Sequence, residues 1–196
     1  LAWKVAAITV TLGALGAPRA ADEKRAPVAE ITPDTQKAIR KGLDWLAHNQ
    51  GANGGWGEAG NNDVAMTALA GMAFLANGST PKRGPYADNV SRAIAFLLNR
   101  ADPKTGLIAP SNGSQIHCHG YAMLFLGEVY GMEVMPEQRE RIHATLRRAV
   151  KLTAESQSAA GGWYYSPGQG GDEGSTTVTQ VEGLRACRNA GITVPI

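Results

Sequence analysis

The sequence predicts an all-α fold assembled from about three helical hairpins, and three observations support this. A Gln followed by Gly-Gly-Trp occurs twice, at residues 50–56 and 157–163. Amphipathic segments alternate with segments that are apolar on nearly every side. Glycines that can end helices recur at Gly78, Gly131 and Gly191. Because each hairpin covers only one face of its apolar helix, neighbours must stack into a solenoid or a closed double ring.

The N-terminal part of the chain differs from the rest. Residues 5–17 are a short apolar segment after Lys4, so residues 1–21 are predicted to be a signal peptide or an N-terminal membrane anchor. Residues 22–31 are charged and lack apolar periodicity, as is typical of a linker. We therefore expect an exported protein, periplasmic or secreted, with membrane proximity if the anchor is kept.

The first hairpin begins at Thr32, a capping residue followed by Pro at the first helical position. Apolar residues then recur on one face, which predicts a surface helix. After a loop over residues 50–62, residues 63–76 are apolar on nearly all sides, which predicts a buried helix that ends at Asn77 and Gly78.

The second hairpin is predicted as a surface helix over residues 86–100, a turn over 102–112 and an apolar helix over 119–130. The third begins at Pro136, passes Trp163 and re-enters as a helix over 175–190. The pattern predicts another helix after Thr193, so we expect a longer reading frame with further repeats, or a second chain, to complete the ring.

Composition narrows the possible partners and sites. The chain of 196 residues has 43% hydrophobic residues and a formal charge of +2, with no Lys/Arg run interleaved with aromatic residues. A nucleic-acid partner is therefore not expected. The two cysteines, Cys118 and Cys187, permit one disulfide at most and exclude a four-cysteine zinc site.

Two hairpins share a detailed motif. The first has Lys41-Gly42, Trp45-Leu46, Gln50 and Gly54-Gly55-Trp56, and the third has Arg148-Ala149, Leu152, Gln157 and Gly161-Gly162-Trp163. The second keeps Arg92-Ala93 and Phe96-Leu97 but has Arg100 where Gln is expected and Gly106-Leu107 in place of the Gly-Trp part. Over residues 32–196 the chain resembles the squalene/hopene cyclase and protein prenyltransferase superfamily, whose QW repeat has this spacing.

That resemblance implies an α/α toroid, here a partial barrel, with a central cavity lined by the starts of the apolar helices. It implies that an isoprenoid or another apolar small molecule is the ligand. In such proteins the repeat Gln and Trp join neighbouring hairpins, so Gln50, Trp56, Gln157 and Trp163 are interpreted as structural.

The resemblance does not supply the chemistry. The Asp-x-Asp-Asp acid of squalene cyclases and the Asp-x-Cys zinc element of prenyltransferases are both absent. His117, Cys118 and His119 lie where a zinc ligand would be expected, but neighbours on one helix cannot all converge on one ion. A zinc cofactor is thus a weak candidate beside a purely structural role for these histidines.

The remaining candidates are polar residues near the starts of the apolar helices. Alignment on the terminal glycines makes Met66, His119 and Thr179 equivalent. We predict Asp63, His119 and Asp172 as catalytic residues and Thr179, Gln180 and His117 as ligand-binding residues that rim one cavity. The alternative is that Asp63, Ser175 and Thr176 are helix caps and that Asp172 lies in a solvated loop.

Three functions follow from this reading. The first is a cyclase- or prenyltransferase-like protein that acts on or binds an apolar ligand. The second is a non-catalytic exported module that binds a ligand or a protein. The third is a carbohydrate-active enzyme on an α/α barrel with Asp63 and Asp172 as its acid and base, which needs carboxylates roughly 5 to 10 Å apart.

Overall fold

The computed structural model describes residues 31–57, 63–109, 114–132 and 135–195. These residues form six α-helices: α1 (Pro33–His48), α2 (Asp63–Ala76), α3 (Ala87–Arg100), α4 (Gln115–Tyr130), α5 (Pro136–Glu155) and α6 (Gly174–Asn189). The described ranges contain isolated β-bridges but no strand. The predicted all-α class is confirmed. The predicted signal or anchor segment (1–21) and nearly all of the linker (22–31) lie outside the described residues.

The six helices follow one another along the chain as predicted, but α3 packs mainly against α2 and not against α4, its predicted hairpin partner. Thr32 caps α1, its Oγ1 accepting the backbone N–H of Thr35 at 3.2 Å. The apolar helix α4 packs between α2 and α6, and α1, α3 and α5 pack against this row. Among the described residues, no helix is long and apolar enough to cross a membrane. Closure of this row into a ring stays a prediction.

The start of α4 differs from the prediction. The helix begins at Gln115, four residues before the predicted start, with Ser114 at the N-cap. Ile116 explains the difference, because it is buried and extends the apolar face of the helix toward its N-terminus. His117 therefore lies within the first turn of α4 and not, as was predicted, ahead of the helix.

Helices α4 and α6 approach each other through glycines. A Cβ atom added at Gly120 would lie 2.6 Å from the carbonyl oxygen of Thr179, and one added at Gly127 would lie 2.9 Å from the Cβ atom of Ala186. Gly183 of α6 likewise leaves room for the carbonyl of Gly120. Only hydrogen fits at these positions, so this interface tolerates no larger residue there.

The two Gly-Gly-Trp turns make the same hydrogen bonds. The backbone N–H of Trp56 bonds Thr67 Oγ1 at 3.0 Å, and that of Trp163 bonds Thr177 Oγ1 at 3.1 Å. Each indole N–H donates to a carbonyl of the preceding helix, Leu46 at 2.9 Å and Thr153 at 2.8 Å. These tryptophans are buried and anchor their own hairpins through these bonds, whereas the resemblance implies that they join neighbouring hairpins.

The second turn keeps this arrangement with other residues. The backbone N–H of Ile108 bonds Nδ1 of His119 at 3.0 Å, so Ile108 takes the place of tryptophan and His119 that of threonine. The hydrogen bonds therefore correct the alignment on terminal glycines: the partners of His119 are Thr67 and Thr177, not Met66 and Thr179. The distance in sequence from this partner to the terminal glycine differs between hairpins: it is 11 residues from Thr67 to Gly78, 12 from His119 to Gly131 and 14 from Thr177 to Gly191. Counting back from the glycine therefore misaligns the partners.

Contrary to the prediction, Arg100 does not stand at the position of the repeat Gln. Gln50 and Gln157 lie nine residues after Lys41 and Arg148, and the residue nine positions after Arg92 is Ala101. The bond from the N–H of Asp102 to the carbonyl of Leu107 matches the bond from Gly51 to Gly55, so Ala101 and not Arg100 stands at the position of Gln50. The second turn has one residue more than the first, and it lies after Ala101, so it does not change this register. Arg100 is consequently available for a different contact.

Candidate functional site

His119, the central catalytic candidate, is a buried structural tie. Its side chain has 0% exposure. Nδ1 accepts the N–H of Ile108 at 3.0 Å, and Nε2 lies 3.2 Å from the carbonyl oxygen of Ala149 in α5. Because Nδ1 must accept, Nε2 carries the proton and donates to Ala149. The ring thereby connects the second turn, α4 and α5, and no ring nitrogen faces a ligand cavity.

Burial also sets the charge of this ring. Desolvation lowers the pKa of His119 to about 4, although the carbonyl of Ala149 partly opposes the shift. The imidazole is therefore neutral at neutral pH, as the two hydrogen bonds require. A general base that works near neutral pH needs a pKa near the working pH, which His119 lacks.

Thr179 and Gln180 are buried between helices and do not rim a cavity. Thr179 donates to the carbonyl of Thr176 at 2.8 Å, and its exposure is 4%. Gln180 has 0% exposure and donates to the carbonyl of Ile116 in α4 at 2.7 Å. Its Oε1 accepts the hydroxyl of Thr153 in α5 at 3.2 Å. Together with His119, they correct the expectation that all these polar side chains converge on one cavity.

Asp63 lies at the start of α2, where its carboxylate forms a salt bridge with Arg100 of α3. The Asp63 side chain is 3% exposed and that of Arg100 is 29% exposed. The guanidinium also stacks over the ring of Phe96, 5.0 Å from its centroid. Asp63 of the first hairpin and Arg100 of the second thus connect the two hairpins through this salt bridge.

We expect Asp63→Ala to lower the free energy of unfolding by about 2 kcal/mol, since it removes the buried partner of a cation that solvent reaches only in part. Urea denaturation of Asp63→Ala, Arg100→Met and the double variant would measure this. The double variant should recover about 1 kcal/mol of the summed losses. Strict additivity of the two losses would contradict the coupling.

Asp172 occupies a different environment from Asp63. It is exposed in the loop before α6, and its carboxylate accepts the hydroxyl of Ser158. The loop interpretation therefore fits its position. The predicted catalytic roles of Asp63 and Asp172 stay predictions, and each carboxylate has a structural contact of its own.

The zinc candidates do not converge. Both ring nitrogens of His119 are taken by backbone groups, while Cys118 is buried and burial raises the pKa of its thiol. Within the described ranges, no three His, Cys, Asp or Glu side chains are grouped so that they could hold a metal ion. Cys118 and Cys187 are both buried free thiols.

His117 is the candidate that solvent reaches, and it belongs to a directed chain of hydrogen bonds. Its Nδ1 lies 2.6 Å from Ser114 Oγ and its Nε2 2.7 Å from Ser175 Oγ. Ser175 donates its hydroxyl to Glu173, which also accepts the N–H groups of Ser175 and Thr176. Nε2 therefore donates to Ser175, and Nδ1 shares a hydrogen bond with the hydroxyl of Ser114.

Glu173 ends this chain and is ionised at neutral pH. Hydrogen bonds from the Ser175 hydroxyl, first, and the Thr176 N–H lower the pKa of its carboxyl group. Glu173 is the N-cap of α6, as Ser114 is of α4, so the chain links the starts of two neighbouring helices. Ser114 and Glu173 are not among the site residues predicted from the sequence, although a polar cap before each apolar run is a signal that indicates them.

An apolar surface adjoins this polar cluster. Tyr165 packs against the His117 ring at a centroid distance of 5.9 Å, and Tyr121 follows His117 by one turn of α4. On α6, Val178 follows Ser175 by one turn and is 60% exposed. The arrangement offers a hydrogen-bonding group beside an apolar surface, which suits a molecule with one polar end. We call it the His117 surface: Ser114, His117, Tyr121, Tyr165, Glu173, Ser175 and Val178.

Comparison with known proteins gives one distant likeness. Over 141 residues, 72% of its length, the chain is 25% identical to a terpene cyclase-glycosyl transferase fusion protein of Humicola fuscoatra. The chain spans 9% of that protein's length. No family model matches the chain, and no solved structure matches it. The likeness supports a terpenoid cyclase-like relation and nothing finer.

Proposed function

We propose that this chain is a terpenoid cyclase-like helical module that binds an amphiphilic isoprenoid without transforming it. The observation that carries the proposal is the His117 surface, where a solvent-accessible imidazole and serine lie beside exposed apolar side chains. The His117–Ser175 pair would bond the polar end of the ligand, and Tyr121 and Val178 would contact its chain.

Two further points support binding rather than catalysis. The histidine that was the best acid-base candidate, His119, is held neutral inside the protein by two backbone groups. Asp63, the candidate acid, is ion-paired with Arg100. A cyclase that starts from an alkene needs an acid that faces its substrate, whereas the Asp63 carboxylate is buried against the guanidinium of Arg100.

Equilibrium binding of farnesol, compared with squalene, which has no polar end, tests this proposal. We expect Val178→Asp to weaken binding of both by about tenfold, because a charge replaces apolar contact area. His117→Ala should weaken farnesol binding by a similar factor and leave squalene unaltered. Met135→Asp, at an exposed position ahead of α5, is the matched control. Equal affinity in all variants, or conversion of either compound, would overturn the proposal.

A further inference from the structure

One side of the molecule carries an open apolar groove. It has a volume of about 610 Å³ and lies between α1 and α2, with Trp45, Leu46, Trp56, Met66, Leu69 and Ala70 in its lining. Trp45 is 62% exposed, Leu69 47% and Met66 42%. Exposure of several large apolar side chains in one patch marks an interaction surface. We call this patch the α1–α2 groove.

The matching surface of the second hairpin is covered. In the shared motif Phe96 of α3 takes the place of Trp45, and Phe96 is 5% exposed. Thr67 and His119 are equivalent, because each accepts the backbone N–H of its turn. The residues just before them, Met66 and Cys118, are therefore equivalent too, and Cys118 has 0% exposure. The surface of the second hairpin that corresponds to the α1–α2 groove is therefore buried, and a hairpin precedes it in the chain.

The element that covers such a surface is the turn of the preceding hairpin. A Cβ atom added at Gly54 would lie 2.5 Å from the carbonyl oxygen of Arg92, and one at Gly106 would lie 2.6 Å from that of Arg148. Both glycines have positive φ, 90° and 82°, so the backbone of each turn lies directly on the next helix. The same contact thus occurs twice within the chain.

In the first of these contacts Gln50 adds hydrogen bonds. Its Nε2 donates to the carbonyl of Asn89 at 3.0 Å, and its Oε1 accepts the side-chain amide of Asn89 at 2.8 Å. Gly55 lies under the ring of Phe96, 2.6 Å from the position of an added Cβ atom. A turn of this kind therefore recognises a helix by close backbone approach, an aromatic ring and the Gln side chain.

The third turn has the same form, but no helix of the described residues lies on it. Gly161 has a φ of 98°, and a Cβ atom added there would have no neighbour within 4 Å among the described residues. Gln157 holds the carbonyl of Gly161 at 2.7 Å, as Gln50 holds that of Gly54 at 2.8 Å, yet Gln157 is exposed. The turn is preformed, and its helix-facing side is open.

The third turn differs from the first in its charge. Asp172 lies beside Gly162, where Phe96 lies beside Gly55, so a carboxylate is added to the surface. Helix α1 has the opposite charge. Its Lys41, which stands at the motif position of Arg92 and Arg148, is exposed, and so is Lys37. The third turn and helix α1 therefore have complementary charge. They also have the same backbone shapes as the turns and helices that contact each other within the chain.

We infer that two copies of this chain associate head to tail, with the third turn of one copy seated on the α1–α2 groove of the other. Each copy carries both surfaces and they differ from each other, so the contact is heterologous. Trp45 would lie where Phe96 lies in the internal contact. The proposal does not depend on the His117 surface or on a ligand.

Light-scattering mass measurement of the full chain during size-exclusion chromatography, without ligand, tests this inference. We expect a concentration-dependent mass of two copies, or of more if the contact does not close. Trp45→Glu in the groove and Gln157→Lys on the third turn should each weaken association at least tenfold. Both positions are exposed, so the fold should survive, as circular dichroism would check. Met135→Glu is the matched control and should associate as the unaltered chain does.

Mixing the two variants separates head-to-tail contact from a symmetric one. The Trp45→Glu chain keeps an intact third turn and the Gln157→Lys chain keeps an intact groove, so an equimolar mixture should regain a two-copy species. A monomeric mass at every concentration would overturn the inference. So would a mixture that stays monomeric while the unaltered chain associates, because that result requires the same patch on both copies.

Discussion

His119→Ala should lower the free energy of unfolding by about 3 to 5 kcal/mol, among the largest losses for a single change in this chain. The substitution leaves a cavity. It also removes the ring nitrogens that bond two buried backbone groups, the N–H of Ile108 and the carbonyl of Ala149. Urea denaturation followed by circular dichroism would measure it. A catalytic histidine on an open rim would cost far less stability when replaced.

His143→Ala is the matched control. This histidine of α5 is half-buried and stacks on Tyr130 at a centroid distance of 5.9 Å, with no buried backbone partner. Its loss should cost about 1 kcal/mol or less. Equal losses in the two variants would refute the special position of His119.

The same histidine predicts how stability depends on pH. The pKa of His119 is about 4 in the folded protein and 6.5 in the unfolded chain, because burial disfavours the charged ring. Between these values the unfolded state binds more protons, so stability rises with pH. The stability that comes from keeping His119 neutral is fully present above pH 6.5. It is lost as the pH falls toward 4, and the total loss is about 3 kcal/mol. In His119→Gln this part of the pH profile should be flat.

Gly120→Ala should destabilise the protein by about 2 to 4 kcal/mol. The new methyl group would lie 2.6 Å from the carbonyl and hydroxyl oxygens of Thr179 and from Nε2 of Gln180, so α4 and α6 would have to move apart. Thermal or urea denaturation would detect the loss. In an isolated helix the change would stabilise, because Ala has the higher helix propensity.

Gly131→Ala tests whether packing is the cause. Gly131 caps α4 with a φ of −72°, which any residue adopts, and a Cβ atom there would meet no described atom within 4 Å. Its substitution should change stability by less than about 0.5 kcal/mol. A comparable loss at Gly131 would mean that helix flexibility, and not the α4–α6 approach, explains Gly120.

His117 and His119 lie two residues apart in the chain but in different environments. His117 was proposed as a ligand-binding residue, and the structure places it in a solvent-reaching cluster. His119, two residues away, was proposed as catalytic and is enclosed. The sequence could not separate them, because rotation by two residues on a helix turns a side chain to nearly the opposite face. Which face meets α5 depends on packing between helices distant in the chain.

The sequence by itself determined the all-α class, the order of the six helices, the buried character of α4 and the anchoring role of Trp56 and Trp163. These properties follow from local signals: apolar periodicity, caps and Gly-rich turns. The prediction that α2 is buried on nearly all sides was wrong for one face, because Met66 and Leu69 are exposed there. Tertiary structure alone decided that His119 replaces a threonine of the other hairpins, that Arg100 pairs with Asp63 and that the third turn stands open. Each depends on residues far apart in sequence meeting in space, and no local pattern records such distances.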